Sequence, residues 1–175
     1  GVDRLPAPIT ALVPTGRRVR RADRGHRGGV QQSAAVTDIP LHDLLGLEMD
    51  VPPPGSTVAE VHLPVRPEAM GLNGLHGGAI ATLVDLACGL CAAVATGFDP
   101  ETESLVTADL HVRYLGRPRT DRVTARAEIV RLGTQLIVLD CTVTDTGGHL
   151  VATADFSMMR VPRRRPLDVT TPPDA

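Results

Sequence analysis

The 175-residue sequence has no tryptophan and no lysine, and its only aromatic side chains are Phe98, Tyr114 and Phe156. Without lysine, catalysis through a lysine Schiff base is excluded. Single-stranded nucleic-acid binding is disfavoured, because it relies on stacking bases on aromatic rings. The formal net charge of −2 also argues against binding of polyanions by the chain as a whole. We therefore expect a core of Val, Leu, Ile and Ala, and no nucleic-acid partner.

The sequence has only three cysteines, Cys88, Cys91 and Cys141. The odd number, with two of them inside an apolar stretch, predicts reduced core thiols and a cytoplasmic protein. The C-x-x-C spacing has no second pair of ligands, so no zinc site and no other metal site is predicted. The N-terminal segment lacks the apolar region of a signal peptide, and none is expected.

Composition divides the chain into three parts. Residues 1–38 are rich in Pro, Gly and Arg without helical or strand periodicity, which predicts a flexible basic arm. The arm is either a solvated tail or a segment attracted to an anionic partner. Residues 39–162 carry the regular hydrophobic patterns of one domain, and 163–175 form an Arg- and Pro-rich tail.

The hydrophobic patterns within the domain predict an α+β fold. A short helix is predicted at 39–47 and a long apolar one at 77–96; period-two alternation predicts strands at 57–65, 104–115, 121–132, 135–144 and 149–161. In the second of these strands, alternation places Thr107 and Tyr114 on opposite faces. One helix followed by four strands indicates an antiparallel sheet wrapped around a buried helix. The long helix could span a membrane, but Thr82, Asp85 and its many alanines favour a helix cradled by the sheet, without membrane contact.

The start of the long helix carries the chemically informative residues. The glycine-rich run Asn73–Gly78 offers free backbone N–H groups to a carbonyl or an oxyanion. Asp85 is the only charge in the apolar stretch, where a carboxylate is costly unless it is paired or used. Gly77 and Asp85 are separated by roughly 12 Å along the helix axis, too far to contact one reacting carbonyl. Two antiparallel helices related by a twofold axis would bring Gly77 of one chain to Asp85 of the other, so we predict a dimer with two shared sites.

The sequence resembles the hotdog-fold acyl-CoA thioesterases, in particular their PaaI-like (phenylacetate-type) branch, over about residues 39 to 161. The residues that carry the resemblance are His76-Gly77-Gly78-Ala79, Leu83-Val84-Asp85, Gly89, Val106-Thr107-Ala108-Asp109-Leu110 and Tyr114. The resemblance implies a hotdog fold that dimerises through its sheet, as a homodimer or a dimer of dimers, and hydrolyses acyl-CoA.

The resemblance also implies a role for each site residue. The Gly77 N–H would polarise the thioester carbonyl, and Asp85 of the partner chain would act as nucleophile or general base. Thr107 would help to place the attacking water, and His76 would orient the loop. No cofactor is implied, because coenzyme A is part of the substrate.

Two features leave alternatives open. The PaaI-like pattern usually has an asparagine six residues before the histidine, where this chain has Met70; Asn73 could replace it. Met70 favours a non-catalytic module that binds acyl-CoA or an acyl carrier, and the basic arm suggests, more weakly, a DNA-binding regulator. Three arginines near a strand end are either contacts for the coenzyme A nucleotide or plain surface residues: Arg113, Arg117 and Arg119.

Overall fold

The computed structural model describes residues 39–163. The predicted basic arm at 1–38 and the tail beyond residue 163 lie outside the described residues. The elements, in chain order, are α1 (Pro40–Leu45), β1 (Glu48–Asp50), β2 (Val58–Pro64), a 3-10 turn (Pro67–Ala69), α2 (Gly77–Thr96), β3 (Glu103–Tyr114), β4 (Arg122–Leu132), β5 (Leu136–Asp145) and β6 (Leu150–Pro162). The predicted long helix and five strands are confirmed, with each strand end within one residue of its prediction.

The strands form one antiparallel sheet in the order β1-β2-β4-β5-β6-β3. The short strand β1 was not predicted, because three residues carry too little alternation to be recognised in a sequence. This short strand pairs with β2 at one edge of the sheet, and the Arg122 guanidinium holds it through an ion pair to Glu48 at 2.7 Å. At the opposite edge lies β3, whose other side pairs with no strand among residues 39–163.

The core lies between the sheet and α2, which contacts all strands from β2 to β6. Alternate residues of β2 and β5 face inward, and the largest of them, Leu63, Ile137 and Leu139, are fully buried. By length and composition α2 could cross a membrane. The sheet accounts for its apolar character, because Leu83 and Val84 are buried without exposure inside the fold. The predicted α+β architecture, an antiparallel sheet around one long helix, is confirmed.

A β-bulge in β3 decides which side chains of this strand face α2. Thr107 is paired with Met158 and Asp109 with Ser157, so Ala108 is an extra residue without its own partner. Bulges of this kind shift the alternation of side chains and bend the strand.

The bulge corrects the prediction that Thr107 and Tyr114 lie on opposite faces. The hydroxyl of Thr107 reaches Asp85 of α2, and the hydroxyl of Tyr114 reaches Gly77 of the same helix. Strict alternation would separate the two side chains, since their numbers differ by seven. The extra residue at position 108 places both on the helix side.

Candidate active site

The loop that leads into α2 is held by backbone hydrogen bonds. The Gly71 N–H donates to the Gly74 carbonyl at 2.7 Å, and the His76 N–H donates to the Ala69 carbonyl at 2.9 Å. Gly74 has a φ of 151°, a backbone conformation that residues other than glycine rarely adopt. The loop therefore presents the first turn of α2 in one defined orientation.

His76 is the N-cap residue of α2. Its backbone is extended, and its Nδ1 accepts a hydrogen bond from the Gly78 N–H at 2.9 Å. A Cβ atom on Gly78 would lie only 2.9 Å from this nitrogen. The second glycine of the His-Gly-Gly run is therefore needed for the ring to cap the helix.

Gly77 is the first helical residue, and its N–H has no acceptor among residues 39–163. The residue lines an open groove of about 410 Å³ between the loop and the end of β3. The groove is lined by Gly71, Leu72, Asn73, Gly74, Leu75, His76, Gly77, Ile80, Gly116, Arg117 and Pro118. A carbonyl oxygen in this groove would meet both the Gly77 N–H and the positive end of the helix dipole.

Asp85 lies two turns further along α2 and is partly exposed. The Thr107 hydroxyl donates a hydrogen bond to its Oδ1 at 2.8 Å. This hydrogen bond uses one of the carboxylate's acceptor positions. The remaining lone pairs can accept a hydrogen bond from water or attack a carbon atom. The bulge in β3 thus brings the Thr107 hydroxyl to Asp85. Its role in placing the attacking water stays a prediction.

The structure does not bring Gly77 and Asp85 of one chain together. Asp85 is absent from the residues that line the groove, and the two positions are eight residues apart on a continuous helix. Among the described residues, the Gly77 N–H and the Asp85 carboxylate therefore do not face the same groove.

Only one of the three candidate arginines lines the groove. Arg117 lies there, with its aliphatic part against Gly74. Arg113 points to the outer face of the sheet, where it donates to Asp155 at 2.8 Å and lowers the pKa of that carboxyl below its ordinary value. Arg119 contributes its backbone N–H to Asp145 at 2.8 Å, and it is not among the groove residues.

Met70 and Asn73 occupy different surroundings in the loop. Met70 forms a backbone bridge with Leu75 and does not line the groove, whereas Asn73 does. The amide of Asn73 is therefore available at the groove. This is the residue named above as a replacement for the asparagine that is usual at the position of Met70.

Tyr114 lies at the candidate site, although no role was predicted for it from the sequence. Its hydroxyl donates to the Gly77 carbonyl at 3.0 Å, and its ring atoms lie 3.4–3.6 Å from the point where a Gly77 Cβ would be. One signal was present in the sequence: the only tyrosine of the chain ends an alternating strand. The helix partner could not be read from that pattern.

The cysteines are placed as core residues. All three are buried with free thiols. A hydrogen bond with the Cys141 thiol, together with burial, raises the pKa of Cys88 far above its ordinary value, and burial raises the pKa of Cys91 to about 11. Neither thiol is a thiolate nucleophile at neutral pH. Among residues 39–163, no group of three His, Cys, Asp or Glu side chains could hold a metal ion.

An antiparallel sheet wrapped around one long helix is the architecture of the hotdog class of proteins. Residues 72–152 match the model of the thioesterase superfamily. A Halobacterium salinarum protein, provisionally named an esterase, is 32% identical to this chain over 110 residues. These residues cover 62% of this chain and 72% of that protein. The chain belongs to the thioesterase superfamily.

Solved structures support the same fold. A thioesterase family protein of Silicibacter pomeroyi superposes with a TM-score of 0.64 at 26% identity, covering 74% of this chain and 94% of that chain. A thioesterase of Pseudomonas aeruginosa, solved as a point mutant, gives a TM-score of 0.66 at 24% identity over 76% and 98% of the two chains. The family and its named members indicate a hydrolase of ester or thioester bonds.

Proposed function

We propose that the protein hydrolyses acyl-CoA thioesters to a carboxylic acid and coenzyme A, as a member of the PaaI-like branch. The observation that carries this proposal is the Gly77 N–H. It has no acceptor among the residues that the structure describes, it stands at the start of the central helix, and Gly77 lines a groove. In a member of the thioesterase superfamily, such an N–H suits the carbonyl oxygen of a thioester.

The chemistry follows from where charge develops. Attack on the thioester carbon places negative charge on the carbonyl oxygen, and an N–H at a helix N-terminus stabilises that charge. Asp85 either takes a proton from a water that attacks this carbon, or attacks the carbon itself. The C–S bond then breaks and coenzyme A leaves as a thiolate, so no strong general acid is needed. In the second case a mixed anhydride remains on Asp85 after the thiolate has left, and water hydrolyses it to the free acid.

The carboxylate for each carbonyl comes from a second copy of the chain. The outer edge of β3 pairs with no strand among residues 39–163. Val106 and Tyr114 of this strand and Leu115, which follows it, are exposed to 48%, 54% and 55% of their surface. Unpaired edge strands invite pairing with another chain, and a twofold axis is the commonest arrangement. Pairing of two β3 edges would extend the sheet and set the two α2 helices antiparallel, with Gly77 of one near Asp85 of the other.

The groove offers a contact for the coenzyme A moiety. Arg117 carries a positive charge at one end of it, and a guanidinium binds phosphate through paired hydrogen bonds. Asn73 supplies an amide at the same groove, and we assign to it a second hydrogen bond to the carbonyl. Arg113 is engaged by Asp155, so we assign the phosphate contact to Arg117.

Release of free thiol from a panel of acyl-CoA thioesters tests this function. We expect wild-type turnover on at least one thioester and a loss of about a hundredfold or more in kcat for Asp85→Asn, since the base or nucleophile is removed. Asp140→Asn is the matched control, because this exposed aspartate lies on β5, away from the β3 edge, and makes no hydrogen bond to α2 among residues 39–163. No thiol release from any thioester would refute the enzymatic function. Unchanged release by Asp85→Asn would remove Asp85 from its role.

A second candidate function is binding of acyl-CoA without hydrolysis, which Met70 favours. Met70 stands where the PaaI-like pattern usually has an asparagine, and Asn73 is the only amide side chain that lines the groove among the described residues. Calorimetric binding of an acyl-CoA thioether, combined with no thiol release from the matching thioester, would support this alternative.

A further inference from the structure

The side chain of Tyr114 joins a chain of hydrogen bonds across the first turn of α2. Its hydroxyl donates to the Gly77 carbonyl at 3.0 Å. That carbonyl belongs to the Gly77–Gly78 peptide, whose N–H donates to His76 Nδ1 at 2.9 Å. The phenol and the imidazole are therefore connected through a single peptide group.

The position of the Tyr114 ring is fixed by the strand that carries it. Tyr114 is paired with Ala152 at the end of β3. The next two backbone N–H groups, those of Leu115 and Gly116, both donate to the Val151 carbonyl at 2.9 and 3.1 Å. The ring thus approaches Gly77 from a backbone that is held on both sides of its Cα atom.

The direction of these hydrogen bonds determines the state of His76. A backbone N–H is only a donor, so Nδ1 must be the unprotonated nitrogen of the ring. The proton of the neutral imidazole is then on Nε2, and His76 lines the groove. A donor that polarises a peptide carbonyl strengthens the hydrogen bond made by the N–H of the same peptide.

We propose that Tyr114 is a positioning residue for the thioesterase site: its hydroxyl, acting through the Gly77–Gly78 peptide, holds His76 in the Nε2–H tautomer and fixes the first turn that presents the Gly77 N–H. The role in catalysis rests on the proposed function. The hydrogen-bond relay itself does not, and it can be tested without turnover.

Tyr114→Phe tests the relay, because it keeps the ring and removes the hydroxyl. With ¹⁵N-labelled histidine, and His76 signals assigned by a His76→Asn variant, wild type should show one tautomer with unprotonated Nδ1. Tyr114→Phe should show a mixture of both tautomers. In the thiol-release assay, its kcat should fall roughly three- to tenfold, the effect of one neutral hydrogen bond, while KM changes less than twofold.

Thr96→Val is the matched control, since it removes a hydroxyl that donates to the Ala92 carbonyl at 2.8 Å at the other end of the same helix. It should leave both the His76 signals and kcat at wild-type values. Imidazole signals in Tyr114→Phe identical to those of wild type would overturn the proposal, and so would altered signals with an unchanged kcat. If wild type hydrolyses no thioester, the proposed function fails, and the imidazole signals alone decide whether the relay exists.

Discussion

The position of Gly77 allows its backbone N–H to be removed by substitution with proline. It is the first residue of α2, where proline is well tolerated because the N–H has no partner within the helix. The preceding residue, His76, has a ψ of 133°, which is the conformation required before proline. The proposed catalytic N–H can therefore be deleted without breaking the helix.

Gly77→Pro should lower kcat for thioester hydrolysis by about a hundredfold or more, the usual effect of losing one oxyanion donor. Gly77→Ala is the matched control, because it retains the N–H and its Cβ would sit 3.4 Å from the Tyr114 ring, an ordinary contact. Steady-state kinetics and thermal unfolding of both variants make the comparison. Equal activity in the two variants would show that this N–H does not polarise the carbonyl.

Arg117 and Arg119 form a second matched pair, since both are exposed and only Arg117 lines the groove. Arg117→Ala should raise KM for an acyl-CoA by about tenfold or more, the worth of a charged hydrogen bond to phosphate. For the N-acetylcysteamine thioester of the same acid, which lacks the nucleotide, KM should be unchanged. Arg119→Ala should leave both values as in wild type; an equal effect of the two variants would point to the overall charge and not to a phosphate contact.

Among the elements, the long helix and the strands of the domain were predictable because their periods are long and uninterrupted. Proline and glycine mark two of their ends: residues 52–55 read Pro-Pro-Pro-Gly before β2, and Gly97 follows α2. In the structure Gly97 adopts the left-handed conformation that ends the helix. The orientation of Thr107 was predicted wrongly, because a bulge of one residue leaves no mark in an alternating sequence. Tyr114 was recognised as part of a pattern, but its contact with Gly77 depends on how β3 crosses α2, which local sequence does not contain.

The turn between β5 and β6 is organised by Asp145, which is only 4% exposed. Its carboxylate accepts backbone hydrogen bonds from Arg119, Gly147 and His149 at 2.8–3.0 Å. The bond from Arg119 lowers the pKa of Asp145 below its ordinary value of 3.8, and the other two act in the same direction. This aspartate thereby ties the segment that carries Arg117 to the sheet.

Asp145→Asn should lower the urea midpoint at neutral pH. Because the pKa is lower in the folded chain, the stabilisation by the carboxylate is complete above the unfolded-state pKa and is lost as pH falls through the folded-state value. The difference in midpoint between wild type and variant should therefore shrink below about pH 4. Asp140→Asn, at an exposed position of the same strand, serves as control, and a difference that is constant from pH 7 to pH 3 would contradict the assignment.

At the scale of the whole molecule, the separation of Gly77 and Asp85 determines how many chains the proposed site needs. Each chain carries the Gly77 N–H, proposed to polarise the carbonyl, at the start of α2 and the Asp85 carboxylate two turns later. The groove that Gly77 lines does not include Asp85. Pairing of the free β3 edges would complete two sites from two chains. The proposed activity is then a property of the dimer, and neither half of a site works alone.

Co-expression of two inactive variants tests this central claim most directly. In a mixed dimer of Asp85→Asn and Gly77→Pro chains, one site receives both defects and the other receives none. Random pairing should restore about a quarter of the wild-type thiol release, because half of the dimers are mixed and each has one intact site. If each chain used its own Gly77 and Asp85, every site would carry one defect. Mixed preparations no more active than either variant alone would contradict the shared site.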